Sequence, residues 1–283
     1  MRYLPECHVC AMRQVLDAAR LAGDDASFHH RCLQEAARLL AEVPLDMTPP
    51  EVGEGLYRMV RELSGVPDPF ERQKRAQNEA VLEIVPWLRD TIYAAEDPLL
   101  MAVRLAIAGN VVDPGAQASF DLEKSVLEAT TGRRELGRFD RFRERLESAG
   151  DVLLIADNCG EVVFDMVLIE TMRREVRGEL EVTVAVRSAP IINDVTLKEA
   201  LAIGLDRLAR VLPSGSEMPG TVLEKTTEEF RRLFERADLV ISKGQGNWET
   251  LEGCEREVFF MFQAKCPAVA AVNDCPEGTL LLL

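Results

Sequence analysis

The chain has 283 residues, 47% of them hydrophobic, and a formal net charge of −15. That length has room for one large domain or two smaller ones, and no apolar run approaches a membrane span. The acidic balance argues against a nucleic-acid or anionic-membrane surface, since both need clustered Lys and Arg.

A small phosphorylated substrate stays compatible with that charge, because a cation and one lysine in a cleft reverse the sign locally. The N-terminus lacks the apolar core of a secretory signal. Seven scattered cysteines are an odd count and no secreted disulfide framework, so a reducing, cytoplasmic setting is expected. Cys7 and Cys10 alone have metal or redox spacing. The nearby His8, His29, His30 and Cys32 fit no common zinc module, so a structural or incidental role is expected for the pair.

The first half reads as helical. Apolar periodicity predicts one helix ending near Gly23 and a second from Phe28 to Leu40, with Asp25 or Ser27 as its cap. Thr48-Pro49-Pro50-Glu51 is a sharp helix start, and that third helix stops at Ser64-Gly65. A long helical segment over 69–95 follows, with Pro86 expected to kink or divide it. Residues 99–108 are nearly continuous apolar and are expected to run through the middle of the bundle. The segment 108–115, with two glycines, a proline, Asn110 and Asp113, reads as a helix cap and loop. Two more amphipathic segments, 121–129 and 140–149, complete this region.

From Asp151 the rhythm changes to alternating strands and helices. Val152, Leu153, Leu154, Ile155 and Ala156 form a short unbroken apolar run, as in a strand buried on both faces. Asp157-Asn158 and Gly160 end it, and a helical pattern begins at Val162. Further strands are expected at 181–186, 210–212, 237–242, 258–262 and 269–272, with little left to close the sheet. Strands alternating with helices imply an α/β fold with a mostly parallel sheet. The expected division is a helical N-terminal region, 1–149, and an α/β domain, 150–283, in which any chemistry is expected at the strand ends.

Each expected strand end carries chemistry. The first offers Asp157, Asn158 and Glu161, the second Asn193 and Asp194, the third Ser214 and Gly215, the fourth Lys243, Gly244, Gly246 and Asn247. In a parallel sheet these ends share one edge. Asp157, Asn158 and Asp194 supply the oxygen donors a hard divalent cation prefers. Lys243 is placed to neutralise a phosphate oxygen, and the glycines let backbone N–H groups approach an anion. Those parts serve phosphate-ester hydrolysis. Each has a local alternative: an Asx turn for Asp157-Asn158, a helix cap for Asp194, a solvated loop lysine for Lys243. Their common fall at strand ends favours a shared site. There is no GxGxxG after the first strand, no Walker loop and no Asp-x-Asp, so dinucleotide, NTP and aspartyl-phosphate chemistry are disfavoured.

Two stretches, Asp157-Asn158-Cys159-Gly160-Glu161-Val162-Val163-Phe164-Asp165 and Lys243-Gly244-Gln245-Gly246-Asn247-Trp248-Glu249, resemble the paired signatures of the damage-control phosphatases, also called the ARMT-like metal-binding family. Glu6-Cys7-x-x-Cys10, Asp68-Pro69-Phe70…Lys74…Asn78 and Gly109-Asn110-x-x-Asp113 resemble further marks of its stand-alone prokaryotic branch. The resemblance implies a helical N-terminal region packed on a three-layer α/β/α sandwich. It implies a divalent cation (Mn, Mg, Co or Ni) on Asp157, Asn158 and Asp194, with Lys243 and Asn247 as the family's lysine and asparagine. The implied activity is metal-dependent hydrolysis of small phosphometabolites, sugar phosphates or damaged ones, and Asn110 and Asp113 become site-edge residues. Two alternatives stand beside it: an S-adenosylmethionine-dependent carboxyl methyltransferase, which the absence of a glycine-rich turn after the first strand disfavours, and a non-catalytic metabolite-binding protein.

Overall fold

The computed structural model describes residues 1–44, 46–109, 119–131 and 134–283. Three helices come first: α1 (Pro5–Ala22), α2 (Ala26–Ala41) and α3 (Pro49–Ser64). Asp25 caps α2, its carboxylate accepting from the Ser27 N–H at 3.0 Å. Thr48 and Glu51 form a capping box on α3, and Gly65 ends it at φ 71°, the left-handed conformation that glycine adopts without a Cβ clash. The three helices close over Val15, Ala18, Cys32, Ala36, Leu56 and Val60, with Ile191 from the later half inserted among them.

Next comes α4 (Glu71–Ala94), a single helix of 24 residues, so Pro86 does not divide it as the sequence led us to expect. The ring lies on the exposed face, and Leu82, whose carbonyl loses the amide partner, is exposed as well. The exposed position costs the helix little there, while Val81, Ile84, Leu88 and Ile92 hold the opposite face in the core. The helix α5 (Pro98–Ala108) is apolar except for Arg104 and mostly buried. It lies against the sheet layer rather than within the bundle of the first three helices, the place for a helix whose surface is almost wholly apolar. α6 (Ser119–Thr131) and α7 (Phe139–Glu147) follow.

The strands are β1 (Arg134–Glu135), β2 (Asp151–Ile155), β3 (Glu181–Val186), β4 (Arg210–Pro213), β5 (Leu239–Lys243), β6 (Phe259–Gln263) and β7 (Leu280–Leu282). The helices among them are α8 (Glu161–Glu175), α9 (Leu197–Ala202), α10 (Glu228–Arg236), α11 (Gln245–Leu251) and α12 (Pro267–Val272). The sheet order is β1-β7-β6-β5-β2-β3-β4. Among the described residues only β6 and β7 pair antiparallel. The strand expected at 269–272 is instead α12. Pro267 takes its first helical position, where a missing N–H is no loss, and a short apolar run cannot by itself tell strand from helix. β1 carries no signal in the sequence.

Both faces of the sheet are covered. Val152, Leu154, Val184 and Ile241 face a layer that includes α4, α5, α7 and α8, whereas Leu153, Ile155 and Val240 face α10, α11 and α12. This is a three-layer α/β/α sandwich, and it explains the unbroken apolar run: alternate residues of β2 point into two different cores. Each fully buried Leu or Ile there contributes about 1.5–3 kcal/mol. From β2 the chain proceeds to β3 on one side and later returns to β5 on the other. The carboxyl ends of β2 and β5 therefore flank a topological switch point, where open α/β sheets form their binding crevice. No helix among the described residues is long and apolar enough to cross a membrane.

Candidate metal centre and active site

At the end of β2 the backbone turns through Asp157, Asn158 and Cys159 and enters α8 at Gly160, whose φ of 79° favours glycine. This turn is zipped to the loop after β3. The Val195 N–H donates to the Asp157 carbonyl and the Cys159 N–H to the Asn193 carbonyl, each at 2.8 Å. Asn158 and Asp194 thus form an antiparallel bridge, and two residues distant in sequence become neighbours. The Asn158 amide donates to Asp157 Oδ2 at 2.6 Å.

Arg187, one residue beyond β3, lies between the two acids. Its Nε donates to Asp194 Oδ2 at 2.6 Å, and its Nη2 stands 3.6 Å from Asp157 Oδ1 and donates to Asn247 Oδ1 at 3.1 Å. Its Nη1 donates to the Gly220 carbonyl at 2.8 Å. Burial raises the pKa of both acids above the carboxylate norm. Each is raised further by Glu161, and Asp157 by Asp194 as well, while Arg187 pulls both down.

Beneath this pair is a second buried ion cluster. Lys243, the last residue of β5, is fully buried; its ammonium lies 2.6 Å from Asp165 Oδ1, 2.7 Å from Glu161 Oε1 and 3.0 Å from the Ala106 carbonyl. Burial lowers the lysine's pKa, but Asp165 and Glu161 outweigh that effect and the balance moves upward. Asp165 is pushed up to about 7 by burial against the pull of Lys243. Asn247 is equally enclosed, donating to the Lys243 carbonyl at 2.7 Å and accepting from Thr221 Oγ1 at 2.8 Å.

A cleft of about 900 Å3 opens above Asp157 and Asn158, with Tyr3, Tyr57, Gln77 and Asn193 in its walls. Of the expected site residues, Asp157, Asn158 and Asn193 face this cleft. Glu161, Asp194, Lys243 and Asn247 stand directly beneath, buried. Gly244 contributes in an unexpected way. Its N–H donates to the Met261 carbonyl, so it is not offered to an anion, whereas a Cβ at this position would lie 2.0 Å from Asp157 Oδ2. The missing side chain is what leaves room for the carboxylate. Asn110 and Asp113 lie outside the described residues.

The thiols Cys7 and Cys10 share the cleft, and burial raises the pKa of both, the opposite of a reactive thiolate. Among the described residues no three His, Cys, Asp or Glu side chains gather into a metal-holding group. The candidate cation set is of another kind, two carboxylates and one amide. Its chemistry fits a hard divalent ion. Asp194 Oδ2 is taken by Arg187, while its Oδ1 is buried with no hydrogen-bond partner among the described residues.

Sequence reasoning missed Arg187 and Glu249. A charged residue directly continuing the buried run of β3 is the signal that marks Arg187. Glu249 lines the cleft and accepts from Gln245 Nε2 at 2.7 Å, and burial pushes its pKa up to about 7. Its folded pKa lies above the unfolded value of about 4.3, so the folded state holds this proton more tightly. Stability therefore falls as pH rises from about 4 to about 7. Glu249→Gln is expected to remove that slope, with a gain over the parent of about 3 kcal/mol at pH 8 and none at pH 4. Urea unfolding in chelator across that range checks it; parallel pH profiles for the two proteins would sink the assignment.

A parallel α/β sandwich with acidic and amide oxygens converging at its switch point defines the class, an α/β protein with a candidate oxygen-donor cation site. Residues 3–281 match the family described as the damage-control phosphatase ARMT1-like domain. A damage-control phosphatase of Pyrococcus horikoshii is 33% identical over 286 residues, covering 100% of this chain and 98% of that protein. A damage-control phosphatase of Archaeoglobus fulgidus is 30% identical over 278 residues, covering 95% of this chain and 94% of that one. The crystal structure of a DUF89 family protein from Pyrococcus horikoshii superposes with a TM-score of 0.92 at 32% identity, covering 100% of this chain and 99% of the other. The chain belongs to the damage-control phosphatase ARMT1-like family.

Proposed function

We propose that this protein is a metal-dependent phosphatase acting on phosphate monoesters of small metabolites, sugar phosphates and damaged phosphorylated metabolites among them. Beside the family membership, one observation carries the reading: Asp157, Asn158 and Asp194 meet at the switch point, and a buried Asp194 oxygen has no partner among the described residues. These three residues would hold the divalent cation, Mn, Mg, Co or Ni. When bound, it supplies positive charge to the phosphoryl group as negative charge develops there.

The chain's own residues have separable tasks. Arg187 favours ionisation of both carboxylates and fixes the rotamer of Asp194 through Oδ2. Asn158 and Asn193 present amides at the cleft floor to the ester's phosphate, and the walls around Tyr3 and Tyr57 exclude water from one side of it. Lys243 has its ammonium ringed by three acceptors, so its role here is to lock Glu161 and Asp165 beneath the ligands and keep them compensated. Seven free thiols suit a cytoplasmic working place.

The test is phosphate release from a panel of sugar phosphates and an aryl phosphate, after chelation and after addition of each ion. Release only in the presence of a cation is the expected result. Stabilisation by metal without release from any ester would hand the site to a binding protein, and methyl transfer from S-adenosylmethionine in chelator would replace the reading altogether.

A further inference from the structure

We infer that α4 is the positioning element of this site: Lys74, Gln77 and Asn78, on one face of it, hold the two ligand-bearing loops in register, and Asn78 sets cation affinity without touching cation or ester. The inference rests on the cation site proposed above.

The spacing i, i+3, i+4 places the three residues on a single helix face. All are polar and all are inside, with exposures of 0%, 5% and 4%. Burying such groups costs free energy unless each finds a partner, so their presence calls for a reason. Their partners supply one. Asn78 Oδ1 accepts the Gly160 N–H at 2.6 Å, fixing the turn that begins at Asp157 and Asn158. Gln77 Oε1 accepts from Asn193 Nδ2 at 3.2 Å, fixing the residue before Asp194. Lys74 stands 2.8 Å from Asp68 and 3.5 Å from Glu199, and Glu199 in turn accepts the Thr196 N–H at 3.0 Å, two residues beyond Asp194.

One helix therefore grips both halves of the Asn158–Asp194 bridge from behind. Gln77 also borders the cleft, whereas the side-chain hydrogen bond of Asn78 among the described residues goes to Gly160. The part of the chain that carries no proposed ligand thus sets the distance between the ligands. Groups that orient metal ligands from outside typically change affinity by about 10–100-fold when removed.

The experiment is a Mn2+ titration of chelated full-length protein, read by melting temperature and by phosphate release. Asn78→Ala is expected to raise the Mn2+ midpoint by about 10–100-fold, with kcat recovering at saturating Mn2+ and KM for the ester unchanged. Ile84→Ala loosens the same helix without reaching either loop; it is expected to lower the melting temperature and leave the midpoint where it was. Should Asn78→Ala fail to fold, Gln77→Ala is read by its Mn2+ midpoint alone, since Gln77 also borders the ester's cleft. A parental midpoint in Asn78→Ala, or the same rise in Ile84→Ala, overturns the inference. If the parent responds to Mn2+ and Asp157→Ala does not, while Asn78→Ala matches the parent, this inference alone is lost. If the parent itself shows no response to Mn2+, the cation reading fails and takes this one with it.

Discussion

Asp194→Asn is expected to lower phosphate release by more than about 100-fold, beyond the usual cost of losing an outer-shell partner, and to abolish the Mn2+-dependent rise in melting temperature. The substitution keeps the shape of the side chain, so the argument turns on charge and on which atom faces where. Arg187 Nε requires an acceptor at 2.6 Å, and the amide oxygen is the atom that satisfies it. The amide nitrogen then occupies the position of Oδ1, the atom that has no partner among the described residues, and points donor hydrogens where a cation would sit. Charge balance works the same way. Among the described residues Asp157, Asp194, Glu161 and Asp165 form ion pairs with Arg187 and Lys243, so acids outnumber their paired cations in this cluster and a divalent ion would be favoured there. In the variant one of those acids is gone. The metal-free fold should keep its stability, because a buried carboxylate has been traded for a neutral group. Release and Mn2+ stabilisation measured on one preparation decide it: parental values for both would mean that Asp194 is not a ligand.

How far this site is legible in the sequence depends on how local each residue's reason is. Asp157 and Asn158 stand out because an unbroken apolar strand ends on them, and such ends carry chemistry in a parallel sheet. The capping of α2 and α3 is equally local. Arg187 is different. Its reasons are Asp194, Gly220 and Asn247, the last two far along the chain, and without them it looks like the solvated end of a strand. Lys243 reads as a lysine free to meet phosphate, because nothing nearby in sequence announces Glu161 and Asp165 beneath it. Gln77 looks like an ordinary exposed helix position, and Asn78 is marked by the family resemblance without a stated task, until the loops they hold are placed. The reading of 269–272 as a strand fails for another reason. Val269 to Val272 is a short apolar run compatible with either state, and Pro267 two residues earlier was the deciding signal.

Arg187→Met is expected to lower the melting temperature of the chelated protein at pH 8 by roughly 10 °C, the equivalent of about 3–5 kcal/mol. Methionine fills much of the same space, so the loss is one of charge: two buried carboxylates remain beside Glu161 with their main counter-ion removed. Mn2+ should then recover more stability in the variant than in the parent, since the cation replaces what the guanidinium did as well as filling its own place; saturation at about 100 times the dissociation constant adds about 2.7 kcal/mol. The pH dependence has a defined sign. Arg187 is what pulls the raised pKa values of Asp157 and Asp194 downward, so its removal lets them climb further. A carboxyl with a folded pKa above its unfolded value of about 3.9 binds protons more tightly in the native state, and stability falls as pH rises through that window. The chelated variant should accordingly be closest to the parent near pH 4 and furthest below it near pH 8. An equal melting temperature for both proteins at pH 8 in chelator would show that the two carboxyls are already protonated without help, and that Arg187 serves the architecture of the loop rather than its charge.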